Sequence, residues 1–336
     1  MRFWLGAAVL VLGGAAYQLI GTARARRRFA APGEFIAAGD QRLHVVCAGR
    51  GAPVAIFESG IAASSLSWSV VLPRIAEFTR ACAYDRAGLA WSDRVTCPRT
   101  FARIVDEFTA VVSHASGAER SVLVGHSFGT FVIRAYAYRY PQRVVGLVLV
   151  DPPTEWLTTT PERARMLWGA ERLSQVGAAL ARIGVVRASL ALLSGGMPGA
   201  PRGFVKIFGP TAARTLERLV GEVRKLPPEV HPIVQAHWSQ PKCFHAMADY
   251  IRTLAIEGAT ISALVPPRDV PTVVLSSGQQ PAEQLAAHRA LADAAGGRHL
   301  VAERSGHWIQ FDEPELIVSV VRGLVRGEGG AWVTPP

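Results

Sequence analysis

Residues 122–131 read VLVGHSFGTF. Ser127 stands between Gly125 and Gly129, after an apolar run of strand character and before one of helical character. The chemistry this permits is nucleophilic attack. A hydroxyl must stand clear of the main chain if a base and a carbonyl carbon are both to reach it, and a sharp strand-to-helix turn presents a serine that way. Gly125 and Gly129 remove side chains that would collide across the turn. The helix that follows would aim its first backbone N–H groups, that of Phe128 among them, at developing negative charge. A chain with 32 glycines can produce this pentapeptide by chance. The strand–turn–helix setting argues against that.

Such a serine needs a sheet to position it. RLHVVCAG, APVAIFES, ACAYDRAG, RSVLVGHS and VVGLVLVD are short apolar runs rich in Val and Leu, bounded by Gly, Pro or polar residues. Between them lie stretches of helical spacing, such as Arg103 to Ala115 with Ile104, Phe108, Val111 and Val112. The alternation predicts an α/β fold, a mostly parallel sheet covered by helices on both faces. After Asp151 the rhythm breaks. From Glu155 to about Arg268 the pattern is helical, punctuated by GGMPGAPRG at 195–203 and KLPPEVHP at 225–232. It resumes with PTVVLSSG, a helix around QLAAHRALADAAGG, then HLVAERSGHW and a last helix from Pro314 to Val325. The expected organisation is an N-terminal segment (1–31), an α/β core in two parts (32–154 and 269–336) and a helical cap (155–268). The cap belongs over the carboxyl edge of the sheet, where such sheets bind ligands.

Over residues 40–325 the chain resembles the α/β-hydrolase fold superfamily, in particular its serine hydrolases with a Gly-x-Ser-x-Gly turn and a helical cap. Three further stretches carry the resemblance. FESGIAASSLSW (57–68) is similar to the segment where the family often has His-Gly and then an oxyanion-hole residue. Here Ser59 replaces the histidine and Gly60 is kept, so the resemblance implies Ile61 N–H as an oxyanion donor beside Phe128 N–H. YDRAGLAWS (84–92) resembles the turn after the fourth strand, with Asp85 and Arg86 as turn-fixing residues. SGHWIQFDEPE (305–315) resembles the loop of the catalytic histidine and implies His307 as the base. The other histidines fit less well. His126 lies within the turn, its side chain expected to point away from that of Ser127. His44 is in an early strand and His114 at a helix end. His231, His237 and His245 lie in the insert, where surface or capping roles are expected.

The family's usual aspartate is missing. It commonly lies shortly after the glycine in VVLSSGQQPAE (273–283), where this chain has Gln279, Gln280 and Pro281. The acid must reach the imidazole to fix its tautomer and stabilise the imidazolium, but its place in the sequence is free. Asp151, which ends the strand after the turn's helix, is the expected acid; certain haloalkane dehalogenases resemble this in carrying theirs on that strand. Glu283 is the alternative acid, and Asp312 or no acid at all are further alternatives. Asp151 as an ordinary turn residue before Pro152-Pro153 is the competing account.

The formal charge is +10, but its distribution does not suggest nucleic acid. Arg2, Arg24, Arg26, Arg27 and Arg28 precede the first acid, Glu34, and the insert holds the other excess. No zinc-finger spacing or RNA-binding signature accompanies it. The four cysteines, Cys47, Cys82, Cys97 and Cys243, form no Cys-x-x-Cys pair, and no metal or cofactor is expected. In the resembled fold the second and fourth strands are neighbours. Cys47 and Cys82 would then lie close enough for a disulfide, which would imply an oxidising compartment; small buried residues are the alternative.

No charge occurs from Phe3 to Ala23. As a helix this stretch is about 30 Å long, roughly one bilayer core. It reads as a retained transmembrane anchor. A signal peptide cleaved near Ala23-Arg24-Ala25 and a buried soluble helix are the alternatives. By the positive-inside rule the arginines after it favour the cytoplasm for the bulk of the chain, and a single short span leaves the orientation open. In the insert, GAALARIGVVRASLALLSGG (177–196) reads as a cap helix or a lipid-facing lid, and Trp156, Trp168, Trp238 and Phe244 as candidates to line an apolar pocket.

The resulting expectation is a membrane-anchored serine hydrolase that cleaves an ester or related acyl bond of a small apolar substrate through an acyl-enzyme. Ser127 attacks, His307 relays the proton, and Asp151 orients His307. Epoxide hydrolysis and dehalogenation are disfavoured, because family members that do them place aspartate where Ser127 stands. A cofactor-free peroxidase or acyltransferase on the same triad, a non-catalytic ligand-binding relative and a lipid-surface scaffold are the alternatives. The oligomeric state is left open.

Overall fold

The structure is a computed structural model and describes residues 2–154, 160–194 and 223–327. Its strands are β1 Glu34–Ala38, β2 Gln41–Ala48, β3 Val54–Glu58, β4 Ala81–Tyr84, β5 Ser121–His126, β6 Val144–Val150, β7 Thr272–Ser277 and β8 Arg298–Ala302. They form one 8-stranded sheet in the order β1-β2-β4-β3-β5-β6-β7-β8. β1 pairs with β2, and β2 with β4, antiparallel; the pairings from β4 through to β8 are parallel. Every residue of β3, β5 and β7 is buried. A strand covered on both faces has no solvent side to alternate toward, which is why these read as continuous apolar runs.

The described helices are α1 Arg2–Arg28, α2 Val71–Ile75, α3 Phe101–Ser116, α4 Phe128–Arg139, α5 Pro161–Arg182, α6 Val185–Ser194, α7 His231–Trp238, α8 Pro241–Ser262, α9 Ala282–Ala294, α10 Ile309–Asp312 and α11 Pro314–Arg326. On one face of the sheet, Phe108, Val111 and Val112 of α3 and Phe131 of α4 pack with Leu123 and Leu147. On the other, Leu72 and Ile75 of α2 and Ile317 and Val321 of α11 pack with Val122 and Val148. Each such side chain contributes about 1.5–3 kcal/mol by leaving water. Thr100 caps α3 by accepting from Arg103 N–H, and Gly327 closes α11 in the left-handed conformation.

Between β6 and β7 the described chain is helical. α5 packs along α8, where a side chain at Gly177 would strike the ring of Phe244. Phe244 therefore packs in the seam between these two helices. Trp168 is 60% exposed and stacks on Arg172, so it does not line a buried pocket. Trp238 does face a small void, with Ala62, Leu66, Leu89 and Val234. Trp156 and the Gly/Pro-rich stretch 195–203 lie outside the described residues.

β2 and β4 bring Cys47 opposite Cys82, and the two are joined in a disulfide. The N-terminal segment is helical, but its second half lies against the cap rather than projecting from the protein. Gln18 donates to Ser239 O at 2.9 Å, and Trp91 Nε1–H donates to Phe29 O at 2.9 Å. Among the described residues no single helix is long and apolar enough to cross a membrane.

Candidate active site

β5 ends at His126 and α4 begins at Phe128, leaving Ser127 alone at the turn. Its φ is +50°, and among the described non-glycine residues only Ala90, Ser127 and Asp151 have positive φ. Such a conformation costs about 1–3 kcal/mol and persists where the surroundings impose it. They do here. A Cβ on Gly129 would lie 2.4 Å from Glu58 O, and one on Gly125 would lie 2.8 Å from the Gly129 carbonyl carbon. Only glycines let β3, β5 and α4 approach closely enough to hold the turn.

The loop after β3 comes up beside the serine. A Cβ on Gly60 would lie 3.6 Å from Ser127 Cβ, so Gly60 lies beside the serine side chain, and Ile61 is the next residue of the loop. Phe128 is the first residue of α4, and the first N–H groups of a helix have no intrahelical acceptor. Ser59, which stands where a histidine is usual, does local work. Its Oγ accepts from Trp68 Nε1–H at 3.1 Å and donates to Ser64 O at 2.9 Å, closing the loop on itself. Arg86, buried and paired with Glu58, donates to Ser59 O at 2.6 Å and also to Gly60 O. The turn-fixing reading of Arg86 was therefore too narrow, since this guanidinium shapes the loop beside Ser127. Asp85 holds its turn by accepting from Trp91 N–H at 3.3 Å, and it also accepts from Ser65 N–H at 2.8 Å and meets His44 Nδ1 at 2.9 Å.

His307 lies in the loop between β8 and α10. Its Nδ1 is 2.6 Å from Asp151 Oδ2. Asp151 follows β6 with φ +45° and is 1% exposed. Its other oxygen accepts from Ser277 N–H at 3.0 Å, and Gln280 Nε2–H donates to Oδ2 at 2.7 Å. Burial pushes this carboxyl up, but the hydrogen bond and charge of His307, with the Ser277 N–H, outweigh it and hold the carboxyl below its ordinary range. An ionised acid at this distance keeps the imidazole proton on Nδ1 and leaves the Nε2 lone pair free to act as a base. Ser127 Oγ makes no hydrogen bond among the described residues.

The alternative acids are elsewhere. Glu283 is exposed in the first turn of α9. Asp312 is occupied by Lys225 Nζ at 2.7 Å and Gly306 N–H at 2.9 Å. Gln280, at the place where the family's aspartate is usual, instead donates to Asp151 Oδ2.

Two further histidines support the site. His126 is buried, and its Nε2–H donates to His307 O at 2.9 Å. Its ring lies 4.6 Å from that of His307 and 5.2 Å from that of Trp308. It is thus a floor under the His307 loop, and burial together with His307 lowers its pKa to about 3, so it stays neutral. His288, also buried, is 2.6 Å from Pro152 O through Nε2 and 2.6 Å from Ser276 Oγ through Nδ1. It pins the residue after Asp151. The sequence signal for His126 was its place beside Ser127; His288, in the middle of α9, has none.

The model of the alpha/beta hydrolase fold matches residues 53–179. An AB hydrolase superfamily protein of Gibberella zeae is 27% identical over 297 residues, covering 82% of this chain and 86% of that protein. A haloalkane dehalogenase of Sphingobium indicum is 31% identical over 151 residues, covering 43% of this chain and 50% of that protein. Among solved structures, a thermophilic esterase from Thermogutta terrifontis superposes with a TM-score of 0.57 at 18% identity, covering 88% of this chain and 99% of that one. The sheet order, the turn at Ser127 and these likenesses define the α/β-hydrolase fold, and residues 53–179 match that family's model.

Proposed function

We propose that the protein is a serine hydrolase that cleaves an ester or related acyl bond through Ser127, His307 and Asp151. The observation that carries this is the 2.6 Å contact of His307 Nδ1 with a buried, multiply hydrogen-bonded Asp151, beside a serine held at φ +50°. In the proposed reaction His307 Nε2 takes the Ser127 hydroxyl proton as Oγ bonds to the acyl carbon. The oxyanion that forms is held by Ile61 N–H and Phe128 N–H. Collapse breaks the acyl–oxygen bond, and His307 gives its proton to the departing alkoxide. Water then repeats the sequence on the acyl-enzyme and frees Ser127. Asp151 stays ionised throughout and stabilises the imidazolium.

The substrate side is a small acyl group entering beneath the cap, here taken as residues 155–268 over a core of 32–154 and 269–336. Membrane attachment through the N-terminal segment is part of the same reading. The Cys47–Cys82 disulfide favours an oxidising compartment for the core over the cytoplasmic side that the arginines suggest. The test is turnover of p-nitrophenyl esters of increasing chain length. The full chain should hydrolyse the short members, and Ser127→Ala should lose at least about 10³-fold in kcat. A folded, inert wild-type chain would hand the site to the ligand-binding alternative. Product formed only when an alcohol or a peroxide is supplied would hand it to an acyltransferase or peroxidase.

A further inference from the structure

α1 has two faces of opposite character. Gly14, Gln18, Gly21, Thr22 and Ala25 recur at helical spacing and meet the cap. A Cβ on Gly14 would lie 2.2 Å from Ile183 O, and one on Gly21 would lie 2.7 Å from the Arg187 side chain. Arg187 of α6 reaches back across the gap, donating to Gln18 Oε1 at 3.0 Å and to Thr22 Oγ1 at 3.1 Å. Gln18 is 3% exposed and Ala25 9%. The small and polar face is therefore the docked one. The opposite face carries Val9, Leu12, Leu19 and Ile20, which are 67%, 70%, 71% and 53% exposed, and ahead of Gly14 the small-residue side is apolar and exposed as well, with Leu10 77% exposed. On a soluble helix the arrangement would be reversed. This face then runs into Arg24 and Arg27, both exposed.

The docked half cannot enter a bilayer core without tearing Gln18 from Ser239 and Arg187 from α1. We propose that α1 is a monotopic membrane-docking element, fixed to the cap by its small-residue face and laid into one leaflet of an anionic bilayer by its apolar face. Charge complementarity argues for that occupant. Acyl chains receive Val9, Leu12, Leu19 and Ile20, and anionic headgroups meet the arginines at the helix's basic end. The cap is thereby held at the membrane surface, which suits an apolar ester delivered from the leaflet. The inference rests on the membrane reading above and replaces a spanning anchor with an in-plane one; it does not depend on the triad.

The test uses the full chain and sealed vesicles of phosphatidylcholine, with or without phosphatidylglycerol. The chain should float with the mixed vesicles at least about ten-fold better than with phosphatidylcholine alone, and high salt should remove the difference. Leu12→Glu with Ile20→Glu should abolish flotation while turnover of a water-soluble ester stays within about two-fold. When the chain is made in the presence of vesicles, an N-terminal epitope tag should remain on the same side as the catalytic domain and be fully removed by external protease. A tag protected inside the vesicles means a span and overturns the in-plane mode alone. Failure to float overturns the membrane reading itself. A non-floating chain that forms a dimer sensitive to Leu12→Glu and Ile20→Glu shows that a second copy covers this face.

Discussion

β6 and β7 lie side by side and end on opposite designs. After β6 the chain turns through Asp151 at φ +45°, and a buried carboxylate meets His307. After β7, where the family's acid is usual, Gln280 offers an amide N–H to that same carboxylate at 2.7 Å. One strand end supplies the charge and the other supplies a donor. In the proposed triad the requirement is where the acid's oxygen lies relative to the imidazole, and not which strand brings it there. Gln280, from the end of β7, donates to that oxygen.

The comparison breaks most sharply if the two ends can be exchanged. Asp151→Asn should cut kcat/KM on the order of 10²–10⁴-fold, because the amide no longer holds His307 in the working tautomer. The double variant Asp151→Asn with Gln280→Asp restores a carboxylate from β7. Recovery of at least about ten-fold over the single variant in the same ester assay would show that position in space is the requirement.

His126 sharpens the comparison from below. With a pKa of about 3 in the folded chain and an ordinary value near 6.5 when unfolded, only the unfolded state binds its proton between those values. Stability should therefore fall as pH drops through that window, by at most about 1.4 kcal/mol per pH unit from this residue. Denaturant midpoints of His126→Gln should show a flatter dependence there. Its kcat should fall several-fold through loss of support for His307.

Asp151 has the same sign in a more acidic window. Its contribution is full above the ordinary carboxylate range and is lost as pH falls through its depressed folded value. Gln280→Ala removes one donor to a buried carboxylate and should cost a few-fold in kcat, with a small upward move of the acidic limb of the pH–rate profile. Glu283→Gln is the smallest change. The residue is exposed on α9, and ester turnover should stay within about two-fold of wild type.

The sheet was legible because its strands are buried on both faces, so VAIFE, SVLVGH and TVVLSS carry their assignment in composition alone. Ser127 and His307 were legible because their turns need particular residues around them. Asp151 could be named as a candidate, yet not separated from a turn aspartate, since its partners come from β7 and the His307 loop, far off in sequence. His126 and His288 depend on packing between distant elements, which no local pattern reports. The docking of α1 against the cap was not legible for a related reason. Its apolar length suggested a span, while the pairing of Gly14 with Ile183 and of Gln18 with Ser239 exists only once the cap has folded.

The most direct measurement is the rate at which a fluorophosphonate labels the full chain, α1 included, in wild type, Ser127→Ala, Asp151→Asn and Glu283→Gln. The account predicts rapid labelling of wild type and Glu283→Gln, none of Ser127→Ala, and labelling of Asp151→Asn slowed at least about 100-fold. A folded wild-type chain that does not label, or labelling that survives Asp151→Asn and disappears in Glu283→Gln, would contradict it.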